Sequence, residues 1–518
     1  MEDVKHSCGI AASYLKETIP DADKKALFYL YRMLLNLQNR GQLSAGFTTY
    51  SRKRKQLIDT YKNLGHVNEV FKTNDIHKSV NLFKKYAGNK AIGHVRYATS
   101  GVEDKTYAQP FERHHGRMWK WFSFCFNGNL VNFPKLKKTL MEKIHYHIIH
   151  DTDTEIMMHY IARQLRGGTK PDIADVFARL VGKFDGAYNV AFMNAFGDLA
   201  VLRDPMGFRP LCYHIEGDKL LVASESNAIQ NCGFSDIKSL EPGKIITVQD
   251  GHVEIRRCAK CRRKAHCMFE WVYFANVSSV LDGRSVYVTR TQLGKELARL
   301  ETEKITKDHI IVPVPDTAKA AGDAMAYELG VPSQEGLVRN RYIGRTFIEG
   351  VEKREGKVEN KYTAIKNILK DKKVILVDDS VVRGATCQEI VRYLKEKGRA
   401  KEVHLRVSCP PIKAPCFYGI DMSTIGELLL PGYEKPIDPE KTSQKILDKI
   451  AKDIGADSFI YNTIPGLVRS IGLPKKDLCM ACLTGIYPTP GGKKLYSSAL
   501  KDFKKGKKED IRSYEREC

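Results

Sequence analysis

The stretch Val374-Ile375-Leu376-Val377-Asp378-Asp379-Ser380-Val381-Val382-Arg383-Gly384-Ala385-Thr386 constrains this chain more than any other. Its four leading apolar residues read as a strand buried on both faces, as in parallel sheets covered by helices. Two carboxylates end the strand, a turn of small and hydroxyl residues follows, and a helical pattern runs from Thr386 to Lys397. Free N–H groups at a helix start hold phosphate, and Gly384 lets the backbone come close to it. The acid pair suits sugar hydroxyls and a divalent cation better than the phosphate itself. An ordinary turn capped by its Asp residues is the plainer alternative, but it does not explain why strand, acid pair and hydroxyl/Gly turn occur together. Ile310-Ile311-Val312-Pro313-Val314-Pro315 is a second run of the same kind. Strand, turn and helix therefore alternate in the second half, an α/β pattern with its ligand site at the carboxyl ends of the strands.

The first half differs. Short apolar runs at Ala91 to Tyr97, Tyr188 to Met193 and Leu220 to Ala223 read as strands, and Lys24 to Asn36 and Thr154 to Gln164 as helices. That mixture predicts an α+β layered domain. The basic stretch Arg256 to Lys264 reads as a linker, and the C-terminal end as a basic surface tail. No run of 18 apolar residues suggests a membrane span, and the start lacks a secretory pattern, so the cytoplasm is the expected location. The net charge of +23 would suit a nucleic acid, yet the Lys and Arg residues are spread along the chain without a nucleic-acid-binding signature. A lysine-rich solvated surface explains the charge, and neither nucleic acid nor membrane is expected as a partner.

Thirteen cysteines are many for a reducing compartment, where they serve as metal ligands, catalytic groups or buried thiols. Cys479-Met480-Ala481-Cys482 has a spacing suited to a metal or an iron–sulfur cluster. Cys258-Ala259-Lys260-Cys261 is a second such pair, open to zinc, with only Cys267 close by in sequence.

Residues 374 to 386 resemble the phosphoribosylpyrophosphate motif of type I phosphoribosyltransferases. Val312-Pro313-Val314-Pro315-Asp316-Thr317 looks like the pyrophosphate-side turn of their amidotransferase branch, and Asn340 to Ile348 like its mobile loop. The resemblance implies that Thr317, Asp378 and Asp379 contact Mg2+. It also implies that Asp378 and Asp379, with Ser380, Val381, Val382, Arg383, Gly384, Ala385 and Thr386, bind phosphoribosylpyrophosphate, the last seven cradling its 5-phosphate.

In the first half, Cys8-Gly9-Ile10, Asn39-Arg40-Gly41-Gln42, Gly93 to Thr99, Asn127-Gly128-Asn129-Leu130 and Thr152-Asp153-Thr154-Glu155 follow in order. They resemble the class II glutamine amidotransferases, whose N-terminal nucleophile (Ntn) fold is an α/β/β/α sandwich. The resemblance implies that Cys8 attacks the side-chain amide of glutamine and releases ammonia. Removal of residues 1 to 7 would free the Cys8 α-amine as the base, with a pKa of roughly 8. Asn127 and the Gly128 N–H would stabilise the oxyanion, while Arg96 and Asp153 would hold the α-carboxylate and α-ammonium of glutamine.

With Arg203-Asp204-Pro205-Met206-Gly207-Phe208-Arg209-Pro210 added, the chain resembles the iron–sulfur branch of the glutamine phosphoribosylpyrophosphate amidotransferases. The implied division is a propeptide at 1–7, a glutaminase domain at 8–255, a linker at 256–266, a phosphoribosyltransferase domain at 267–490 and a tail at 491–518. The implied reaction gives 5-phosphoribosylamine, glutamate and pyrophosphate, the ammonia passing through the protein. Cys267, Cys416, Cys479 and Cys482 are the implied ligands of a 4Fe–4S cluster, structural and linked to propeptide maturation. Purine nucleotides are implied as inhibitors, and a homotetramer as the assembly. Leu43, Phe126 and Asn39 depart from the family pattern. They alone leave an alternative, a non-catalytic paralogue that binds phosphoribosylpyrophosphate or nucleotides and regulates a partner.

Overall fold

The computed structural model describes residues 8–97, 104–340, 361–420, 422, 424–433 and 442–505. Two antiparallel sheets build the first half. One has seven strands in the order Lys238–Ser239, Cys212–Glu216, Lys219–Ala223, Gly9–Leu15, Lys90–Arg96, Ser44–Tyr50, Ile58–Leu64. The other has six, in the order His252–Arg257, Lys244–Gln249, Leu199–Arg203, Gly186–Asn194, Phe122–Leu130, Phe111–Arg113.

Side-chain alternation decides the layering, because successive residues of a strand point to opposite faces. Ile10, Ala12 and Ile92 meet Cys125, Ala191 and Met193 in a core between the sheets. Ala11 turns outward to Leu30 and Leu34 of helix Ala22–Asn36. Phe122, Phe124 and Phe126 turn outward from the second sheet to helices Asp153–Gln164 and Ile173–Val181. Helix, sheet, sheet and helix form the four layers of an Ntn sandwich.

The second half carries a parallel sheet in the order His309–Pro313, Lys373–Asp378, Glu402–Val407, Ser458–Tyr461. Val374 to Val377 are fully buried, as continuous apolar strands are when helices cover both faces. Helix Ala385–Glu396 leaves the carboxyl end of Lys373–Asp378 and returns the chain to the next parallel strand. Asn340 is described, but 341–348 of the expected mobile loop lie outside the described residues.

Two expectations are corrected. Arg256 and Arg257 are not linker: they end strand His252–Arg257, where Arg257 pairs with Lys244 and Arg256 meets Asp172 at 2.6 Å. Their charge masks the Val253/Ile255 alternation that extends the sheet. Nor is the C-terminal segment a surface tail over its first part. Pro490–Lys504 is a helix capped by Thr489, with Leu495 and Ala499 buried one turn apart beneath the lysines. Its Gly491 N–H donates to Asp185 of the first half at 2.8 Å. No helix among the described residues is long and apolar enough to cross a membrane.

Candidate active sites

Side-chain alternation places three polar or nucleophilic residues on the inner faces of the two sheets. Cys8 shares the face of Ile10 and Ala12, Arg96 that of Ile92, and Asn127 that of Cys125, all directed between the sheets. The half-buried Cys8 Sγ lies 3.9 Å from the Tyr97 carbonyl oxygen. Burial raises its thiol above the ordinary range, Arg96 opposes that shift, and Asp153 adds to it. Arg96 and Asp153 therefore both lie within electrostatic reach of the Cys8 thiol. Asp153 opens helix Asp153–Gln164 and accepts from the Leu130 N–H at 3.4 Å. Burial pushes its carboxyl up to about 6.

Asn127 is 1% exposed, and its carboxamide nitrogen and oxygen have no hydrogen-bond partner among the described residues. A buried amide left unsatisfied is costly unless a ligand completes it. Gly128 follows with φ +152°, and a Cβ there would stand 1.8 Å from the Ala187 oxygen, so only glycine fits.

Two of the three departures from the family pattern have side-chain roles in the structure, and the third leaves only its main chain engaged. Phe126 packs under the helices, on the face opposite Asn127. Asn39 donates to Glu225 at 2.8 Å and to the Phe274 carbonyl at 3.0 Å. Leu43 donates to the Arg96 carbonyl through its main chain at 3.0 Å, a bond indifferent to its side chain. None of the three favours the binding-only alternative.

In the second half, strand Lys373–Asp378 delivers Asp378 and Asp379, both under 10% exposed. Asp378 accepts from the Asp379 N–H at 2.8 Å, and Asp379 from the Ser380 hydroxyl at 2.6 Å. The Thr317 hydroxyl, from the loop after His309–Pro313, also donates to Asp379. Thr317 and the acid pair are thus brought together from two strand ends. Gly384 takes φ +84° at the start of helix Ala385–Glu396, a left-handed cap that suits glycine. Residues 380 to 386 form the turn and first helical turn above the sheet.

Cys267, Cys416, Cys479 and Cys482 line one cavity with Phe208, Arg209, Tyr418, Ile420 and Ala481. Cys267 and Cys479 are register partners in a two-residue parallel ladder. Burial raises the thiols of Cys267, Cys482 and Cys479, the last to about 12. Among the described residues no three His, Cys, Asp or Glu side chains already converge as on a single ion. Four thiols bordering one cavity are a donor set suited to a sulfur-ligated metal or cluster. The Cys258 thiol turns to the Gly243 carbonyl at 3.3 Å, and no third donor joins its pair among the described residues.

Sequence reasoning missed a buried charge network between the halves. Arg40 bonds Glu225 and Glu270, both at 2.5 Å, and Arg209 bonds Glu270 at 3.1 Å. Glu225 also accepts from the Asn276 N–H at 2.7 Å and the Ser279 hydroxyl at 2.8 Å. The pairing holds Glu270 below the usual carboxylate range against its burial. Arg40 and Arg209 lie in motifs already singled out. Their partners lie far along the chain and carry no local signal.

A family model described as a glutamine amidotransferase domain matches residues 81–238, and one described as a phosphoribosyl transferase domain matches 289–415. The chain is 36% identical over 492 residues to the amidophosphoribosyltransferase of Methanothermobacter thermautotrophicus, covering 94% of this chain and 96% of that one. It is 38% identical over 501 residues to the amidophosphoribosyltransferase of Methanocaldococcus jannaschii, covering 93% and 98%. A solved structure described as the glutamine phosphoribosylpyrophosphate amidotransferase from B. subtilis complexed with ADP and GMP matches with TM-score 0.79 at 33% identity. That match covers 93% of this chain and 97% of the other.

Proposed function

The chain belongs to the amidophosphoribosyltransferase family, and on that premise we propose that it joins glutamine hydrolysis at Cys8 to amination of phosphoribosylpyrophosphate at Asp378 and Asp379. The observation that carries the glutaminase site is the buried, unsatisfied Asn127 carboxamide on the inner face shared with Cys8. Its N–H group, with the Gly128 N–H, supplies donors for the oxyanion formed when the Cys8 thiolate attacks the amide. Burial keeps Cys8 a thiol, so a base must take its proton. Removal of residues 1–7 makes its own α-amine that base. Arg96 pairs with the α-carboxylate of glutamine and Asp153 with its α-ammonium.

Ammonia then passes within the protein to the second site. Residues 380 to 386 hold the 5-phosphate through hydroxyls and N–H groups, while Asp378 and Asp379 hold the ribose side. Mg2+, for which Thr317 and the acid pair are suitable oxygen donors, would neutralise charge on the departing pyrophosphate. Cys267, Cys416, Cys479 and Cys482 would hold a 4Fe–4S cluster, which braces their four segments; thiols around a space suit a polynuclear cluster better than one zinc ion. Binding of purine nucleotides is supported by the ADP and GMP of the B. subtilis structure.

Intact mass and visible absorption of anaerobically purified protein, with glutamine-dependent phosphoribosylamine formation, test this reading together. Loss of residues 1–7, a broad brown-coloured absorption and turnover are expected. An unprocessed, colourless and inactive protein would overturn it.

The raised Asp153 carboxyl sets a pH dependence. Only its ionised form pairs with the ammonium, and that form grows as pH rises through about 6. Glutamine binding to a Cys8→Ala protein, measured by calorimetry, should be about tenfold weaker at pH 5 than at pH 7. In Asp153→Asn the binding should be weak and flat across this range. A steep slope surviving in Asp153→Asn would assign the titration to another group.

A further inference from the structure

Gly128 lies near the end of strand Phe122–Leu130, paired with strand Gly186–Asn194 along one edge, while on the other edge strand Phe111–Arg113 reaches only as far as Phe124. Gly128 has no side chain, its φ is +152°, and one wall is the Ala187 carbonyl of the neighbouring strand. The opposite wall comes from the other half of the chain. A Cβ placed on Gly419 would stand 3.0 Å from the Gly128 carbonyl carbon and 3.2 Å from its oxygen. Gly419 itself has φ +91°, so the close approach needs glycine at 419, while at 128 the neighbouring strand already forbids a side chain. Asn129, the next residue, donates its amide N–H to the Phe417 carbonyl at 2.9 Å.

The loop that makes these contacts is itself held firmly. Arg209 donates to the Tyr418 carbonyl at 2.9 Å and to Glu270 at 3.1 Å, with its guanidinium buried. The Phe208 ring stacks on Tyr418 with centroids 4.3 Å apart. Residues 417 to 419 therefore form a firmly held wall, and the Gly128–Asn129 end of the strand is packed and bonded against it.

We infer that the loop 417–419 of the transferase half is a buttress that sets the oxyanion donors of the glutaminase half, with Asn129, Gly419 and Arg209 as positioning residues for glutamine hydrolysis. The inference rests on the reading of Asn127 and Gly128 as those donors. Oxyanion stabilisation depends on donors fixed before charge develops, and small displacements weaken it steeply. Glutamine is gripped by the side chains of Arg96 and Asp153, of which Asp153 touches this strand only through the Leu130 N–H at 3.4 Å, so a loosened strand end should slow the chemistry more than it weakens binding. The same contacts make the glutaminase sensitive to any movement of the transferase half at this loop.

The test uses the full-length mature enzyme with Asn129→Ala and, separately, Gly419→Ala. Asn129→Ala removes the bond to Phe417; Gly419→Ala forces a methyl against Gly128. In each, kcat for glutamine hydrolysis should fall by about 10- to 100-fold, with KM for glutamine changed by less than about threefold. Ammonia-dependent phosphoribosylamine formation should stay within about twofold of the parent, which also verifies that the variant is folded. The inference is overturned if kcat for hydrolysis is unchanged in both variants, or if it falls only in proportion to ammonia-dependent activity. Asn127→Ala in the same assay separates the two levels. If it leaves kcat intact, the oxyanion reading has failed. If it lowers kcat while both buttress variants do not, the buttress alone has failed.

Discussion

Cys8→Ala in a chain begun at position 8 is expected to abolish glutamine-dependent formation of phosphoribosylamine, by about 10⁴-fold or more, while ammonia-dependent formation stays within about twofold. The size of the loss follows from the role: a methyl group forms no thioester, and the oxyanion donors then have no tetrahedral adduct to stabilise. The selectivity follows from geometry. Cys8 belongs to the inter-sheet face of the first half, whereas Asp378 and Asp379 sit at the end of a parallel strand in the second. Free ammonia reaches the second site without the first. Cys8→Ser should lie between parent and Cys8→Ala, since a hydroxyl beside an α-amine retains some nucleophilicity. Parallel loss of both activities in Cys8→Ala would mean that the first half is needed for the fold of the second, and the nucleophile would remain unassigned. Survival of glutamine-dependent activity would remove Cys8 from the mechanism.

The parts legible in the sequence were those set by local pattern. Continuous apolar runs such as Val374 to Val377 can be buried only between helices, so they announced the parallel sheet. The acid pair and the Gly384 turn lie within nine residues of that strand and were read with it. Cys8, Arg96 and Asn127 were reached through the family motifs instead, because strands such as Gly9–Leu15 are buried on both faces and show no alternation that would mark an inner side. Two kinds of feature escaped. The basic residues Arg256 and Arg257 and the lysines of Pro490–Lys504 hid apolar periods that were present beneath them. Long-range pairing left no local trace. Arg40 with Glu270 is 230 residues apart, and Asn129 with Phe417 is 288 residues apart. Such contacts are chosen by packing of the two halves, which no periodicity in either half reports.

Asp379→Asn carries the second large effect, expected as a loss of about 10³-fold in transfer to phosphoribosylpyrophosphate with glutamine and with ammonia alike. The substitution keeps the shape of the side chain and its capacity to accept from Ser380, but it removes the charge and replaces the oxygen that accepts from Thr317 with an NH2 donor. Thr317 and Ser380 both donate to this carboxylate, so it is presented by two strand ends, and under the proposed function its charge faces the ribose side of the substrate. A neutral amide there holds a divalent cation weakly, so the Mg2+ concentration for half-maximal rate should rise along with the loss in kcat/KM. Basal glutamine hydrolysis should continue, since Asp379 touches nothing in the first site. Asp378→Asn is the informative companion. Asp378 accepts from the Asp379 N–H at 2.8 Å and from the Cys387 thiol at 3.5 Å, so part of its work is to shape the turn. It should lose activity with a smaller change in Mg2+ dependence. If Asp379→Asn instead transfers at the parent rate, the two carboxylates are turn caps only, and the phosphoribosyl site must be sought elsewhere on the carboxyl edge of the sheet.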